Sequence, residues 1–548
     1  MDRLLSRAYR GIKGGVDMQT VSEKWKNAHR LTILNESFVE VSLGIADPDA
    51  LAVASPQDNG AIYISDTSTL TNGVDKKPTP YCTLEQNLWV LDGERKAIQE
   101  SQSNDDGYIG DVLCNEVCVF DAKMPTITIN FPKVFDKIIP GITITWSETY
   151  GEFADNFLVR AYSGDNIISE QEIVGNKSVK SLIVMDIVEY DKIVIQVKKW
   201  CLPYRRARVE EVFVGLDKVY SRANLFDYSH KQIVDPVSTS LPKSEIKFSI
   251  DNVDGEYNTH KAQGLAKYLM ERQEIKSRYG LRLEDGSIEW INGGTFYLSE
   301  WYAKQNGMTA DFSARDLLEF MSAIYYDRIT EITDRSLYDL ALNVLTSANL
   351  PLNSDGTVKW VIDESLKSIY TKSPLPEDSH ANLLQLIANA GTCALYQDRT
   401  GTLRIEPLRY EETDYKIDSF NSYSKSEITL SKPLKQINVK VYSYTIGDKG
   451  IESTDTEVVT EVGAMGETIT IDNPLITDEN RASVLGSWLA THLGHRMTLD
   501  SSWRVDVRLD ALDIVTNENS YNTNKVRMTE IDFKYNGSFK GTGKGKVI

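Results

Sequence analysis

No apolar run in this chain is long enough to cross a bilayer. A spanning helix needs about 18 consecutive apolar residues, and the longest runs, such as Ser181-Leu182-Ile183-Val184-Met185, fall far short. Arg3, Arg7, Arg10 and Lys13 lie near the start, but Gly, Ser, Tyr and Arg interrupt the place where a signal peptide has its apolar core, so no secretion signal is expected. Cysteine is scarce. Five residues, an odd number, form no spacing that builds a disulfide framework, which points to synthesis in a reducing compartment. Cys114-Asn115-Glu116-Val117-Cys118 has no second Cys or His pair at a zinc-like distance, so it reads as structural and no metal is expected. Also missing are a Gly-x-Ser-x-Gly elbow, a phosphate-binding glycine loop and a Cys with an identifiable His partner. Positive charge is in deficit too. At a net −19 the surface repels phosphates, which disfavours stable nucleic-acid binding.

What is present is enough chain, 548 residues, for about three to five domains. Residues 1–80 read as an N-terminal arm with a helix over Val16–Arg30, a strand or two from Leu31 to Leu43, and turn-rich loops over 47–80. Residues 81–220 read as an antiparallel β-sandwich of short strands separated by Gly, Pro and Asn. Within it Ile142, Ile144 and Trp146 alternate onto one face, as do Ile193, Ile195 and Val197. Residues 221–332 mix strands such as Glu245–Ile250 and Gly294–Leu298 with a helix from Gln263 to Arg272.

Residues 333–404 are helical and mixed. Thr333-Asp334 offers an N-cap to a helix carrying Leu337, Leu340, Ala341, Val344 and Leu345. A second helix opens at Asp378-Ser379 and stops at Gly391, read as a left-handed terminator. Residues 405–548 are strand-rich around one helix from Asp478 to about His495, and the end, Gly541 to Lys546, reads as a loose tail.

Few residues suggest chemistry. His492 and His495 stand three apart on one helix face but lack a third ligand, which favours a surface pair at a helix C-terminus. Asp251-Asn252-Val253-Asp254-Gly255-Glu256 departs from the calcium-loop order. Lys198, Lys199, Arg205, Arg206 and Arg208 cluster, and the plain reading of Arg206 and Arg208 is a solvated strand edge. Trp146 and Tyr150 fall in or beside one connection of the sandwich, and Trp200, Tyr204, Arg205 and Arg206 in another. An aromatic platform flanked by bidentate donors suits sugars, which present apolar faces and hydroxyl rims. These six are the candidate carbohydrate-binding residues. Core packing is the competing account of Trp146, and edge packing that of Trp200 and Tyr204.

Two stretches resemble known families. Gly141–Ser147, Phe157–Tyr162 and the strand from Arg206 to Gly215 resemble the galactose-binding-like jelly roll of carbohydrate-binding modules. Glu245–Asn252, Phe312–Leu318, Leu384–Ala390 and Arg508–Val515 resemble, in order, the baseplate hub or tail-tip proteins of tailed bacteriophages that infect Gram-positive hosts. The first resemblance implies host-glycan contact. The second implies a multidomain, mainly β chain with α+β parts: a jelly-roll sandwich, then two hub-type β-barrel domains with a helical segment between them.

Three copies would ring the tail axis beside the distal tail protein, the tape measure and receptor-binding proteins, in a virion assembled in the host cytoplasm. No cofactor and no catalysis are implied. Such hubs often begin directly with their first barrel, whereas here some 220 residues precede it, which leaves two readings, a plain hub or a hub fused to a host-binding module. The alternative from another class is a carbohydrate-active enzyme, a glycan hydrolase or glycan-binding protein with an appended jelly roll. It requires a pair of carboxylates facing each other in an aromatic-lined cleft.

Overall fold

The computed structural model describes residues 19–31, 35–57, 60–71, 80–89, 96–97, 105–237, 240–261, 264–304, 307–326, 332–353, 357–447, 450–518 and 522–548. The fold is mainly β. Its spine is a thirteen-stranded sheet that begins Gly215–Tyr220, Ser37–Ala46, Glu274–Arg282, Ile288–Ala303, Thr309–Arg315, Lys243–Asp251, Leu225–Ile233. It continues Thr523–Tyr535, Phe539–Val547, Met497–Trp503, Glu427–Leu430, with Ile514–Glu518 and Glu412–Ile417 branching from Thr523–Tyr535.

The middle pairing, Tyr228 opposite Tyr535 through Ile233 opposite Glu530, joins the regions expected as two separate barrels. One core runs through both, from Ile246, Phe248 and Tyr279 to Trp503, Phe533 and Tyr535. The strand Ser37–Ala46, expected in the N-terminal arm, lies inside this sheet, because its alternating Val39, Val41, Leu43 and Ile45 are all buried in that core.

The sandwich is an insertion. Ala46, the last residue of one spine strand, is the register partner of Gly215, the first of its neighbour. Everything between leaves and returns at that point. A five-stranded sheet (Asn166–Val174, Ala154–Ser163, Tyr190–Trp200, Thr126–Phe135, Ser55–Gln57) faces a three-stranded one (Lys180–Ile187, Ile139–Thr145, Glu211–Phe213). They enclose a core that also takes Ala50 and Leu70 from the expected arm.

A second body packs outside the spine. Helices Leu337–Ser347 and His380–Ala390 share a core with the strand Leu434–Gly447 and the helix Glu479–Gly494, so the boundary expected at 404 does not divide the cores. Residues 431–496 again depart and return at a pair, Leu430 opposite Met497.

Local chemistry explains the helix ends. Ser336 Oγ accepts from the Asp339 amide at 3.0 Å and donates to the Asp339 carboxylate at 2.7 Å, a reciprocal cap two residues beyond the expected start at Thr333-Asp334. Ser379 caps the second helix as expected. Gly391 is not left-handed, with φ −82°, and Thr392 takes the left-handed turn at φ +56°. A Cβ at 391 would lie 2.3 Å from Leu366 Cδ2, so a larger residue there would displace that buried side chain.

The expected helix Gln263–Arg272 is the short 3-10 turn Leu265–Tyr268, with 262–263 outside the described residues. The N-terminal helix is Glu23–His29. Gly541–Lys546, expected as a loose tail, belongs to the spine strand Phe539–Val547. Its glycines let neighbouring strands approach, and a Cβ on Gly545 would lie 2.4 Å from Val526 Cγ1.

Candidate functional site

The six sequence candidates gather at one end of the sandwich, but they do not form a platform. Trp146 and Trp200 are fully buried and meet edge to face at 6.0 Å. Each indole N–H has a buried acceptor: Trp146 Nε1 donates to Ser181 Oγ at 2.9 Å and Trp200 Nε1 to Glu152 Oε2 at 2.9 Å. Trp146 ends the inward-facing row Ile142, Ile144, so core packing accounts for it. Trp200 ends the inward row of the strand Tyr190–Trp200 and is also core, not edge.

Arg205 is buried as well, with Nε 2.9 Å from Glu152 Oε1 and Nη1 on the Gln86 carbonyl. Glu152 thus holds both Trp200 and Arg205. Of the six, Tyr204 is exposed, at φ +56°, and Tyr150 and Arg206 are half-buried.

Beside this group is a buried pair that the sequence reading missed. Glu85 binds Arg208 through both oxygens, one contact being Arg208 Nη1 to Oε2 at 2.9 Å, and Oε2 also accepts the Arg206 amide at 2.9 Å. Burial alone would raise the Glu85 carboxyl, but the hydrogen bonds and charge of Arg208 outweigh it and hold Glu85 below its ordinary value. Arg208 is therefore interior and not on a solvated strand edge, with the Tyr150 ring 5.1 Å from its guanidinium. The signal available in the sequence was the alternation Arg206-x-Arg208 itself, which puts both side chains on one face and demands carboxylates if that face is buried.

The other cations of the cluster are neutralised too: Lys198 by Glu172 at 2.8 Å and Lys199 by Asp155 at 2.6 Å. The space among Tyr81, Tyr108, Thr149, Tyr150, Arg208 and Glu210 amounts to about 20 Å³, room for a water molecule and no sugar ring.

Two larger clefts lie elsewhere, one of about 440 Å³ lined by His29, Tyr415, Asp418, Phe420 and Asp506 among others. The other, of about 430 Å³, opens where the spine meets the helical body, lined by Asp316, Tyr396, Asp398, Glu406, Asp510 and Asp513 among others. Its carboxylates are largely committed: Asp398 to Arg404 at 2.6 Å, and Asp510 to Arg399 at 2.8 Å. Asp316 caps the 3-10 turn Leu317–Met321, and burial pushes its carboxyl up to about 7 against the amides of Ser244 and Leu318. Tyr396 is its one aromatic residue among those described.

His492 is buried, stacked on Tyr410 and not on the surface, and His495 is 6.5 Å away, centroid to centroid. No group of three or more His, Cys, Asp or Glu among the described residues is arranged to hold a metal ion. All five cysteines are free thiols, and no described helix is long and apolar enough to cross a membrane.

Among known proteins, no family model and no curated protein matches the chain. Solved structures with some likeness include the 43 kDa tail protein of prophage MuSo2 from Shewanella oneidensis, 12% identical, TM-score 0.39, covering 60% of this chain and 95% of that one. A tail protein from Neisseria meningitidis MC58 is 11% identical, TM-score 0.40, covering 61% and 94%. Prophage tail protein gp18 from Listeria monocytogenes EGD-e is 10% identical, TM-score 0.37, covering 60% and 91%.

Proposed function

We propose that this chain is a structural part of a bacteriophage tail tip or baseplate, a trimeric hub that acts by assembly and not by turnover. The supporting observation is that the sandwich and residues 431–496 each leave and rejoin the spine at paired strands, Ala46 opposite Gly215 and Leu430 opposite Met497. An insertion with adjacent ends leaves its host sheet whole, so the spine is free to associate around an axis while the sandwich is carried outside it. The hub resemblance of residues 230–548 points the same way, and a net charge of −19 suits a channel wall that should not hold DNA.

In this reading the sandwich contacts host cell-wall glycans or neighbouring tail proteins, such as the distal tail protein or a receptor-binding protein. Sugar contact would fall to Tyr204, Tyr150 and Arg206, since Trp146 and Trp200 are interior. Light scattering on the purified chain across a concentration series tests the proposal. A mass of three 61.7 kDa copies is expected, and a monomer at every concentration would overturn the trimer.

A further inference from the structure

In a chain with a large excess of carboxylates, one buried guanidinium has none. Arg527 is 3% exposed on the spine strand Thr523–Tyr535. No carboxylate lies within ion-pair distance of it among the described residues: it donates to the Arg409 carbonyl oxygen, lies 4.8 Å from the Tyr410 ring, and its Nε is buried without a hydrogen-bond partner. Buried charges are ordinarily paired, and the other buried guanidinium groups among the described residues are: Arg208 has Glu85, Arg399 has Asp510 and Arg508 has Asp506.

The surroundings add positive charge. Lys546 is directly opposite Arg527 on the next strand, so both side chains leave the same face of the sheet. Lys546 is about one quarter exposed, and its carboxylate contact, Asp235, is at 3.9 Å. His492, near the end of the helix Glu479–Gly494, shares the Tyr410 ring with Arg527, and His495 is 6.5 Å from His492, centroid to centroid. Burial and the charges of Arg527, His495 and Lys546 depress His492 to about 4, so its neighbours make this a site of positive potential. Tyr410 covers it. The ring is 61% exposed, on a stretch outside helix and strand, stacked on His492 with its hydroxyl 3.1 Å from Nε2.

We infer that Arg527, Lys546, His492 and His495 form a binding site for an oxyanion, a phosphate or carboxylate group, with Tyr410 as its cover. The guanidinium supplies the unused Nε–H, Lys546 a mobile second charge at the solvent side, and the imidazoles further donors when protonated. Bound charge would replace the missing carboxylate. An anion can enter from the Lys546 side when the Tyr410 ring swings outward, a motion that breaks one hydrogen bond and two ring contacts, on His492 and on Arg527.

Isothermal titration of the full chain with inorganic phosphate, in buffer matched for ionic strength with chloride, tests the site, and acetate forms the second arm. Saturable binding of one anion per chain is expected. Lys546→Gln should weaken it on the order of tenfold, the worth of one charge-assisted hydrogen bond, and Tyr410→Ala should leave it intact or tighten it. Arg527→Gln should abolish it. Because that residue is buried, Lys546→Gln carries the test if Arg527→Gln fails to fold. Phosphate binding without acetate binding would identify a tetrahedral oxyanion, and binding of both would identify a site that accepts a protein carboxylate. Absence of saturable heat in both arms, or equal affinity in the wild type and Lys546→Gln, would overturn the inference.

Discussion

Ala46 and Gly215 face one another as register partners at the root of the sandwich, and Gly215 holds a backbone that other residues resist. Its φ is +150°, and a Cβ there would lie 2.4 Å from the Ile45 carbonyl oxygen and 2.7 Å from Ala46 Cβ. The junction is therefore tight as well as short.

Gly215→Ala should destabilise the chain by about 1–3 kcal/mol, the usual range for a strained backbone position. Urea denaturation followed by tryptophan fluorescence reads this directly. An unchanged midpoint would mean the two strands can part at no cost.

If the sandwich is an insertion, excising residues 47–214 and closing Ala46 to Gly215 with a two-residue turn should leave a folded spine. One loss is foreseeable. Thr143 Oγ1 donates to the Gly215 carbonyl at 3.1 Å and accepts from the Asp217 amide at 3.0 Å, so it covers part of the edge of Gly215–Tyr220. Excision bares that edge, and exposed edges associate. The shortened chain should keep a cooperative melt by circular dichroism while showing more self-association in light scattering, and loss of the melt would show that the sandwich is needed for the spine to fold.

Trp200 and Tyr204 should separate structure from surface. Trp200→Ala removes a fully buried indole and takes the donor from Glu152 Oε2, so a loss of about 3–5 kcal/mol is expected. Tyr204→Ala should stay within about 0.5 kcal/mol, and a fall in pull-down on host cell walls in that variant alone would locate a glycan contact. A stable Trp200→Ala protein would contradict the core assignment.

The sandwich was legible because its strands obey a period of two: Ile142, Ile144 and Trp146 alternate inward as their spacing required. The two helices were legible for a similar local reason, their apolar rows at helical spacing, although the first cap is Ser336 and not the expected Thr333-Asp334. What sequence could not convey was anything fixed by distant pairing. The strand Ser37–Ala46 gives no local hint that its partners are 215–220 and 274–282, nor does Leu225–Ile233 announce Thr523–Tyr535. The two tryptophan candidates proved interior for a related reason. A tryptophan at a strand end can be core or platform, and the choice here was made by Glu152 and Ser181, which lie far from Trp200 and Trp146 in sequence.

Glu85→Gln should be costly near neutral pH, because it leaves Arg208 buried without its charge; breaking such a pair typically costs about 3–5 kcal/mol. The pH dependence has a definite sign. Glu85 is held below its unfolded value, so its contribution is present above that value and is lost as pH falls through the folded one. The gap between wild type and Glu85→Gln in urea midpoints should therefore narrow on acidification. A constant gap down to pH 3 would show that Glu85 does not ionise differently in the folded chain.

His230 should make the spine acid-sensitive at a higher pH. It is 1% exposed at the centre of the sheet, with Nδ1 2.9 Å from Tyr279 Oη, Nε2 3.2 Å from Ser244 Oγ, and the rings of Phe296 and Phe533 around it. Burial first, and then the Arg399 charge, depress it to about 3 from an ordinary 6.5. Between those values the unfolded chain binds a proton that the folded chain refuses, so stability must fall as pH drops through the window, by up to about 1.4 kcal/mol per pH unit from this residue alone. Paired carboxylates contribute to the total slope, which makes the informative quantity the difference between wild type and His230→Gln, a variant that keeps donor and acceptor atoms but does not titrate. Urea midpoints at pH 7, 6, 5 and 4 should converge as the wild type loses its advantage, and parallel curves would mean that the folded sheet protonates His230 as readily as the unfolded chain does.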